Sequence, residues 1–224
     1  MPKVYLSPSN QTKNAYAYGS TNEAEQCGRI ADACRIALER SGVTVKLGHM
    51  PSMQEKVRAS DAFGAELHVP IHTNAFNGSV MGTRMFCYNT GKGMAACKAI
   101  FARVAPLSPG TSESIQVNPK LYEVRVPKAP TAYIECEFHD TVEGARWIVE
   151  NAAAIGEAIA RGICDCFGVT FVESELPKPA QPEQPAEQKL YRVQVGAFAS
   201  RANAEKMVQR LKAAGFDAFI RQDV

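Results

Sequence analysis

Three ionisable residues stand where the sequence leads us to expect chemistry, and the first is a histidine. His72 comes directly after the strand-like run 67–71, at the predicted carboxyl end of a buried strand. A single histidine is more often a structural residue than a metal ligand. Its position at the end of a strand nevertheless favours a functional role.

Two carboxylates accompany this histidine. Glu135 ends the apolar run 132–134, so its side chain is either paired or functional. A raised pKa there would suit a general base. Glu23 lies four residues before Cys27 and continues the apolar stripe of a predicted helix. It is either a first-turn glutamate stabilised by the helix dipole or a metal ligand that faces the end of the sheet.

The elements that must position these residues alternate between strand and helix. Strand patterns cover 3–6, 43–47, 67–71, 81–88 and 131–136, and helix patterns cover 22–40, 93–104 and 142–167. Asp140 and Glu143 have the spacing of a capping box for the last helix. The alternation predicts an α/β fold with a mixed, mainly parallel sheet flanked by helices.

Ligands and catalytic groups collect at the carboxyl ends of the strands in such sheets. This rule selects Ser7–Gln11, His72–Asn74 and Glu135. These three stretches are therefore the predicted site.

A segment rich in proline, glutamate and glutamine divides the chain. Residues 173–188 have too few apolar side chains to fold and are expected to form an extended linker. They separate a domain at 1–172 from a tail at 189–224. The tail predicts a short β-α-β unit, with a strand at 191–195, a helix that Gly215 closes, and a strand at 216–220.

Composition excludes several classes of protein. The formal net charge of +2 gives no argument for a nucleic-acid partner, and no apolar stretch is long enough to span a membrane. The N-terminus lacks the pattern of a secretory signal peptide. Seven scattered cysteines without a CxxC pair are interpreted as reduced core residues of a protein made in the cytoplasm.

Two longer motifs and one short one are similar to those of a known family. Residues 65–75 read AELHVPIHTNA, and residues 121–135 read LYEVRVPKAPTAYIE, with a proline before the strand that carries Glu135. Residues 21–23 read TNE at the start of the first predicted helix. In this order they resemble the zinc-dependent N-acetylmuramoyl-L-alanine amidases of the Amidase_3 family, over residues 1–170.

The resemblance implies a function and a set of roles. Zn²⁺ would be bound by Glu23 and His72, and Glu135 would be the general base. The enzyme would cut the amide bond between N-acetylmuramic acid and the L-alanine of the stem peptide in bacterial peptidoglycan. It would be a peptidoglycan hydrolase of the endolysin or autolysin type that acts on the cell wall after release or secretion by another route. Arg125, in the second motif, is a candidate substrate-binding residue.

The chain departs from the family at the third zinc ligand. The family's first loop carries a zinc-binding histidine, and Asn10 stands in that place. An amide oxygen is a poorer zinc ligand than an imidazole. Either the third ligand comes from elsewhere, or zinc binds weakly, or the site is inactive. His139 is the alternative ligand, although it is as readily a polar residue before a helix.

The tail resembles half of a SPOR repeat, a module that binds peptidoglycan. The match runs over residues 190–220, and only one of the module's two β-α-β units is present. A single unit buries too little surface to be stable alone. We therefore expect two chains to pair their tails as a homodimer, with Gln194 as a candidate binding residue.

A second function remains open at this stage. An amidase fold that has lost its metal would act only as a peptidoglycan-binding module. Asn10 favours that interpretation, whereas the presence of Glu23, His72 and Glu135 together favours an enzyme.

Overall fold

The chain forms two structural units. The computed structural model describes residues 1–174, 195–216 and 218–220. The first unit spans Met1–Glu175 and the second spans Leu176–Val224. Most of the predicted linker, and all but Val195 of the first predicted tail strand, lie outside the described residues.

A six-stranded sheet runs through the first unit. Its strands are β1 (Lys3–Pro8), β2 (Thr44–Leu47), β3 (Leu67–Asn74), β4 (Arg84–Cys87), β5 (Ser114–Val117) and β6 (Tyr133–Phe138). The strand order is β2-β1-β3-β6-β4-β5, and every neighbouring pair is parallel except β4 with β6. The predicted mixed, mainly parallel sheet is therefore confirmed.

Five α-helices accompany the sheet within the described part of this unit. They are α1 (Glu23–Arg40), α2 (Met53–Phe63), α3 (Lys92–Val104), α4 (Tyr122–Arg125) and α5 (Val142–Phe167). Helix α5 packs against both α1 and α3, and the apolar core lies between these helices and the sheet. All seven cysteines are free and six of them are buried, as expected for reduced core residues. Within the described ranges, every helix is too short or too polar to cross a lipid bilayer.

The sequence patterns did not predict α2, α4 and β5, because these three elements lack an apolar stripe. The buried residues of α2 are Lys56, Val57 and Ser60, two of which are polar. Strand β5 is a four-residue edge strand without a buried residue, and α4 is a single turn. Periodicity detects an element only where one face is consistently apolar.

The predicted capping box at the start of α5 is wrong. The N-cap is Thr141, whose hydroxyl accepts a hydrogen bond from the backbone N–H of Gly144 at 3.0 Å. Asp140 instead accepts hydrogen bonds from the backbone N–H groups of Phe76 and Gly78, each at 2.8 Å. Its carboxylate therefore holds the loop that follows β3.

The second unit contains helix α6 (Arg201–Ala213), as predicted, and Gly215 follows it with a φ of 86°. The predicted strand at 216–220 is wrong for its described residues, since residues 216 and 218–220 belong to no strand. A short strand forms only where its backbone groups find a pairing partner. Val195, the described end of the other predicted strand, is not in a strand either.

A buried polar cluster fixes the end of β1, where the site loop begins. The ammonium of Lys56 donates to the carbonyl oxygen of Pro8 at 2.6 Å, and Glu123 accepts a hydrogen bond from Ser7. The Nε2 atom of His68 lies 3.2 Å from the same carboxylate. Burial acts to raise the pKa of Glu123, but the hydrogen bonds from His68 and Ser7 and the nearby Lys56 charge together lower it. The cluster ties β1 to α2 and α4.

The crossing of α1 and α5 predicts an unusual response at Gly156. A Cβ atom there would lie 2.5 Å from the carbonyl oxygen of Ile30 and 2.7 Å from the Cβ of Ala33. Gly156→Ala should lower the free energy of unfolding by about 1–3 kcal/mol through overpacking, although alanine is preferred in helices by about 1 kcal/mol. Urea unfolding followed by the fluorescence of the single tryptophan, Trp147, measures the change. The control Ala154→Gly should lose only the helix preference, and a more stable Gly156→Ala protein would contradict the packing argument.

Glu123→Ala should destabilise the first unit strongly. The substitution leaves Lys56 and His68 in the interior without the carboxylate of Glu123. Breaking a buried charge pair costs about 3–5 kcal/mol of stability. Glu150→Ala, at an exposed position of α5, is the control and should change the free energy of unfolding by less than about 0.5 kcal/mol. Similar unfolding midpoints for the two variants would show that the buried cluster contributes little.

Candidate active site

The candidate site lies at the carboxyl ends of β1, β3 and β6. His72 on β3 and Glu135 on β6 are register partners, so their side chains leave the same face of the sheet. The loop after β1 runs from residue 9 to residue 22 and leads into α1, whose first residue is Glu23. This loop is pinned to the sheet, because the backbone N–H of Ser9 donates to the carbonyl oxygen of Ile71 at 2.9 Å.

Glu23 and His72 form a buried pair. The Oε1 atom of Glu23 lies 2.8 Å from the Nδ1 atom of His72, and the two residues are 1% and 8% exposed. Burial acts to raise the pKa of Glu23, but the hydrogen bond and the charge of His72, together with hydrogen bonds from Asn14 and Ser9, lower that pKa. The imidazole also stacks on Tyr133, with 4.7 Å between ring centroids. The orientation of His72 is therefore set from two sides.

Gln11 is the third side chain at this pair. Its Nε2 atom lies 3.3 Å from Glu23 Oε1 and 3.4 Å from His72 Nδ1. Asn14 supports the arrangement, because its amide donates to Glu23 Oε2 at 2.6 Å and to Gln11 Oε1 at 3.1 Å. Sequence reasoning did not single out either amide, although Gln11 lies in the loop that the strand-end rule selected.

Asn10, which the sequence placed in the third ligand position, does not meet the pair. Its side-chain amide donates to the carbonyl oxygens of Pro51 at 2.7 Å and Met50 at 3.5 Å. It therefore fastens the site loop to the segment before α2. The next residue along the chain, Gln11, is the one whose side chain reaches Glu23 and His72.

His139 belongs to a separate cluster on the other side of the site loop. Its Nδ1 atom lies 2.9 Å from the hydroxyl of Thr73, which lies 2.8 Å from the hydroxyl of Tyr16. The rings of His139 and Tyr16 stack with centroids 4.9 Å apart. Burial lowers the pKa of His139. Its contacts hold the loop against the sheet and do not bring it to the Glu23–His72 pair.

Of the two predicted binding residues, the structure describes only Arg125. Arg125 is exposed at the end of α4, and Gln194 lies outside the described residues. Both assignments stay predictions.

Glu135 has the properties expected of a general base. Its side chain is partly exposed, while its Oε2 atom is buried and has no hydrogen-bond partner among the described residues. Burial raises the pKa of Glu135 to about 7, and the charge of Glu23 adds to this shift. The charge of His72 and a hydrogen bond from Tyr133 act in the opposite direction. A carboxyl group with that pKa can both accept and return a proton near neutral pH.

The donors around Glu23 and His72 suit a divalent cation only in part. A carboxylate oxygen and an imidazole nitrogen 2.8 Å apart are two ordinary zinc donors directed at one place. The Nε2 atom of His72, on the opposite edge of the ring, is buried without a partner among the described residues and does not face this place. In the described part of the chain, no three His, Cys, Asp or Glu side chains are grouped so that they could hold a metal ion. The other side chains that reach this place are the amides of Gln11 and Asn14 and the hydroxyl of Ser9, which all hydrogen-bond Glu23.

Models of known protein families match both units of the chain. The family model described as N-acetylmuramoyl-L-alanine amidase (Amidase_3) matches residues 6–165, and the SPOR domain model matches residues 178–224. The sporulation-specific N-acetylmuramoyl-L-alanine amidase of Bacillus subtilis (strain 168) is 24% identical over 98% of this chain and 84% of its own length. The N-acetylmuramoyl-L-alanine amidase CwlM of Bacillus licheniformis is 25% identical over 98% of this chain and 85% of its own length.

Solved structures share the fold of the first unit. The catalytic domain of the amidase CwlV from Bacillus (Paenibacillus) polymyxa var. colistinus has a TM-score of 0.68 and 15% identity, over 76% of this chain and 100% of that one. The amidase AmiC2 of Nostoc punctiforme has a TM-score of 0.64 and 20% identity, over 75% of this chain and 97% of that one.

Proposed function

The chain belongs to the Amidase_3 family of N-acetylmuramoyl-L-alanine amidases, and we propose that its first unit is a zinc-dependent peptidoglycan hydrolase. The bond it cuts is the amide between the lactyl group of N-acetylmuramic acid and the L-alanine of the stem peptide. One observation carries the proposal for the site. The buried Glu23–His72 pair lies beside Glu135, which has a raised pKa and comes from the neighbouring strand.

Zinc would be held by Glu23 and His72. When bound, the ion would polarise the scissile carbonyl and make a water molecule acidic enough to attack it at neutral pH. The stacked ring of Tyr133 and the carboxylate of Glu23 hold the imidazole of His72 in place.

Glu135 would carry the proton. Its carboxylate takes a proton from the attacking water, and its carboxyl group then returns that proton to the nitrogen of the leaving L-alanine. Burial makes both steps feasible near pH 7, because it raises the pKa of Glu135 toward that value. The partly exposed side chain leaves room for the substrate on the same face.

The second unit is proposed to bind peptidoglycan. The proposed domain bounds are a catalytic domain at 1–172, a linker at 173–188 and a binding unit at 189–224. The SPOR match supports this role for the tail. A tethered wall-binding unit would raise the concentration of substrate around the enzyme.

We also propose that two tails pair as a homodimer. The apolar side chains of α6, Ala204, Met207, Val208 and Leu211, are only half-buried within the described chain, so they are available for pairing.

A catalytically impaired binding module is the second candidate function. The amide of Gln11 at the metal pair favours it, because an amide is a weaker zinc donor than an imidazole. The match to an amidase family and the environment of Glu135 favour the enzyme.

Glu135→Gln tests the general base. The variant should release peptides from purified cell walls at least about 100-fold more slowly, because an amide cannot take a proton from water. Its zinc content, measured by elemental analysis, should equal that of the native protein. Glu143→Gln, at an exposed position in the first turn of α5, is the control and should retain full activity. Native rates for Glu135→Gln would remove Glu135 from the reaction.

Light scattering tests the homodimer. The full-length protein should have the mass of two chains, and Leu211→Glu should have the mass of one because it places a charge on the apolar face of α6. Gln209→Glu adds the same charge at an exposed position of that helix and should leave the dimer intact. A native protein with the mass of a single chain would end the pairing proposal.

A further inference from the structure

We propose that Gln11 completes the cation site with its side-chain amide oxygen. This inference rests on the proposed function, in which Glu23 and His72 hold a zinc ion. It concerns the third protein ligand, for which the sequence suggested Asn10 or His139. The structure supports a ligand set made of one imidazole, one carboxylate and one amide.

The geometry around the pair supports Gln11. Its Nε2 atom lies 3.3 Å from Glu23 Oε1 and 3.4 Å from His72 Nδ1, and these two atoms are 2.8 Å apart. Polar atoms of three side chains therefore surround one point. Asn10 and His139 are committed elsewhere, to the carbonyl oxygens before α2 and to Thr73.

A rotation of the amide would present its oxygen to the ion. In the structure the Oε1 atom of Gln11 faces the amide of Asn14 at 3.1 Å, and the nitrogen faces the pair. A half-turn about the last side-chain bond exchanges the two atoms with little change of shape. The rotation gives up the hydrogen bond from Asn14 to Gln11, and Asn14 keeps its hydrogen bond to Glu23 Oε2 at 2.6 Å. The bond between the amide oxygen of Gln11 and the ion would replace the lost hydrogen bond.

The chemistry of this ligand set predicts a distinct metal preference. Imidazole suits zinc, whereas carboxylate and carbonyl oxygens suit harder ions such as Mn²⁺. A set with two oxygens and one nitrogen should hold zinc more weakly than a set with two imidazoles. It should also discriminate less between Zn²⁺ and Mn²⁺.

The chain offers a matched pair of substitutions for the test. Gln11→His places an imidazole beside Glu23 and His72. Asn10→His introduces the same side chain one residue earlier, where the native amide points to Pro51 and Met50. Gln11→Ala removes the amide and leaves the pair intact. All are made in the full-length protein, which is first stripped of metal.

Zinc affinity is measured by competition of Zn²⁺ with a chromophoric chelator. Relative to the native protein, Gln11→His should bind zinc more than about 100-fold more tightly. A change in a residue that only supports a ligand alters the affinity by roughly 10–100-fold, so a larger gain identifies a direct ligand. Gln11→Ala should bind zinc more weakly, and Asn10→His should bind it no more tightly than the native protein does. The ratio of the Mn²⁺ and Zn²⁺ dissociation constants should be larger for Gln11→His than for the native protein. X-ray absorption at the zinc edge should show one imidazole in the native site and two in Gln11→His.

Several results would overturn the inference. Native zinc affinity in Gln11→Ala, or two imidazoles in the native site, would exclude Gln11 as the ligand while the proposed amidase stands. Tighter binding in Asn10→His with no gain in Gln11→His would assign the position to residue 10. Zinc binding by Gln11→His but not by the native protein would reject both the native amide ligand and zinc dependence.

Discussion

The contact between Glu23 and His72 is the interaction on which the site depends. A carboxylate that is 1% exposed is stable only if it is paired, and its partner is an imidazole 2.8 Å away at the end of β3. The pair joins the first turn of α1 to the centre of the sheet, across 49 residues of sequence. Because α1 also packs along α5, the position of this carboxylate is tied to the packing of these two helices.

Buried polar clusters on either side keep the site loop in one conformation. Beneath β1, Lys56 and Glu123 fix the strand end from which the loop leaves. Beyond the loop, Thr73 and His139 meet the hydroxyl and ring of Tyr16. Such networks are favourable only when their members are satisfied together, and they then specify one arrangement. The loop can therefore hold Gln11 and Asn14 at the pair without a regular secondary structure of its own.

Family membership and the amide at the site are compatible. The proposed general base and the two proposed metal-binding side chains stand on elements whose fold matches that of solved amidases. The chain departs from the family motif in the loop between β1 and α1, where we propose that Gln11 supplies one further donor. A change confined to a loop alters the affinity for an ion while the strands and helices that carry the other groups stay as they are.

The sequence by itself determined the α/β class and the main strands and helices, and it predicted three residues that the candidate site brings together. Glu23, His72 and Glu135 could be found because each stands at a predicted helix start or strand end, where periodicity and the rule for parallel sheets apply. Helix α2 could not be found, because its buried Lys56 is satisfied by Pro8, a contact that no local pattern shows.

Only the tertiary structure decided which loop residue meets the pair. Asn10 turns to Pro51, 41 residues away, and Gln11 turns to His72, 61 residues away. His139 is adjacent to a strand end, as a ligand would be, yet its ring stacks on Tyr16. The direction of a loop side chain follows from contacts distant in sequence, and neither spacing nor residue type contains that information. For this reason the third donor that we propose lies one residue beyond the position that the family motif indicates.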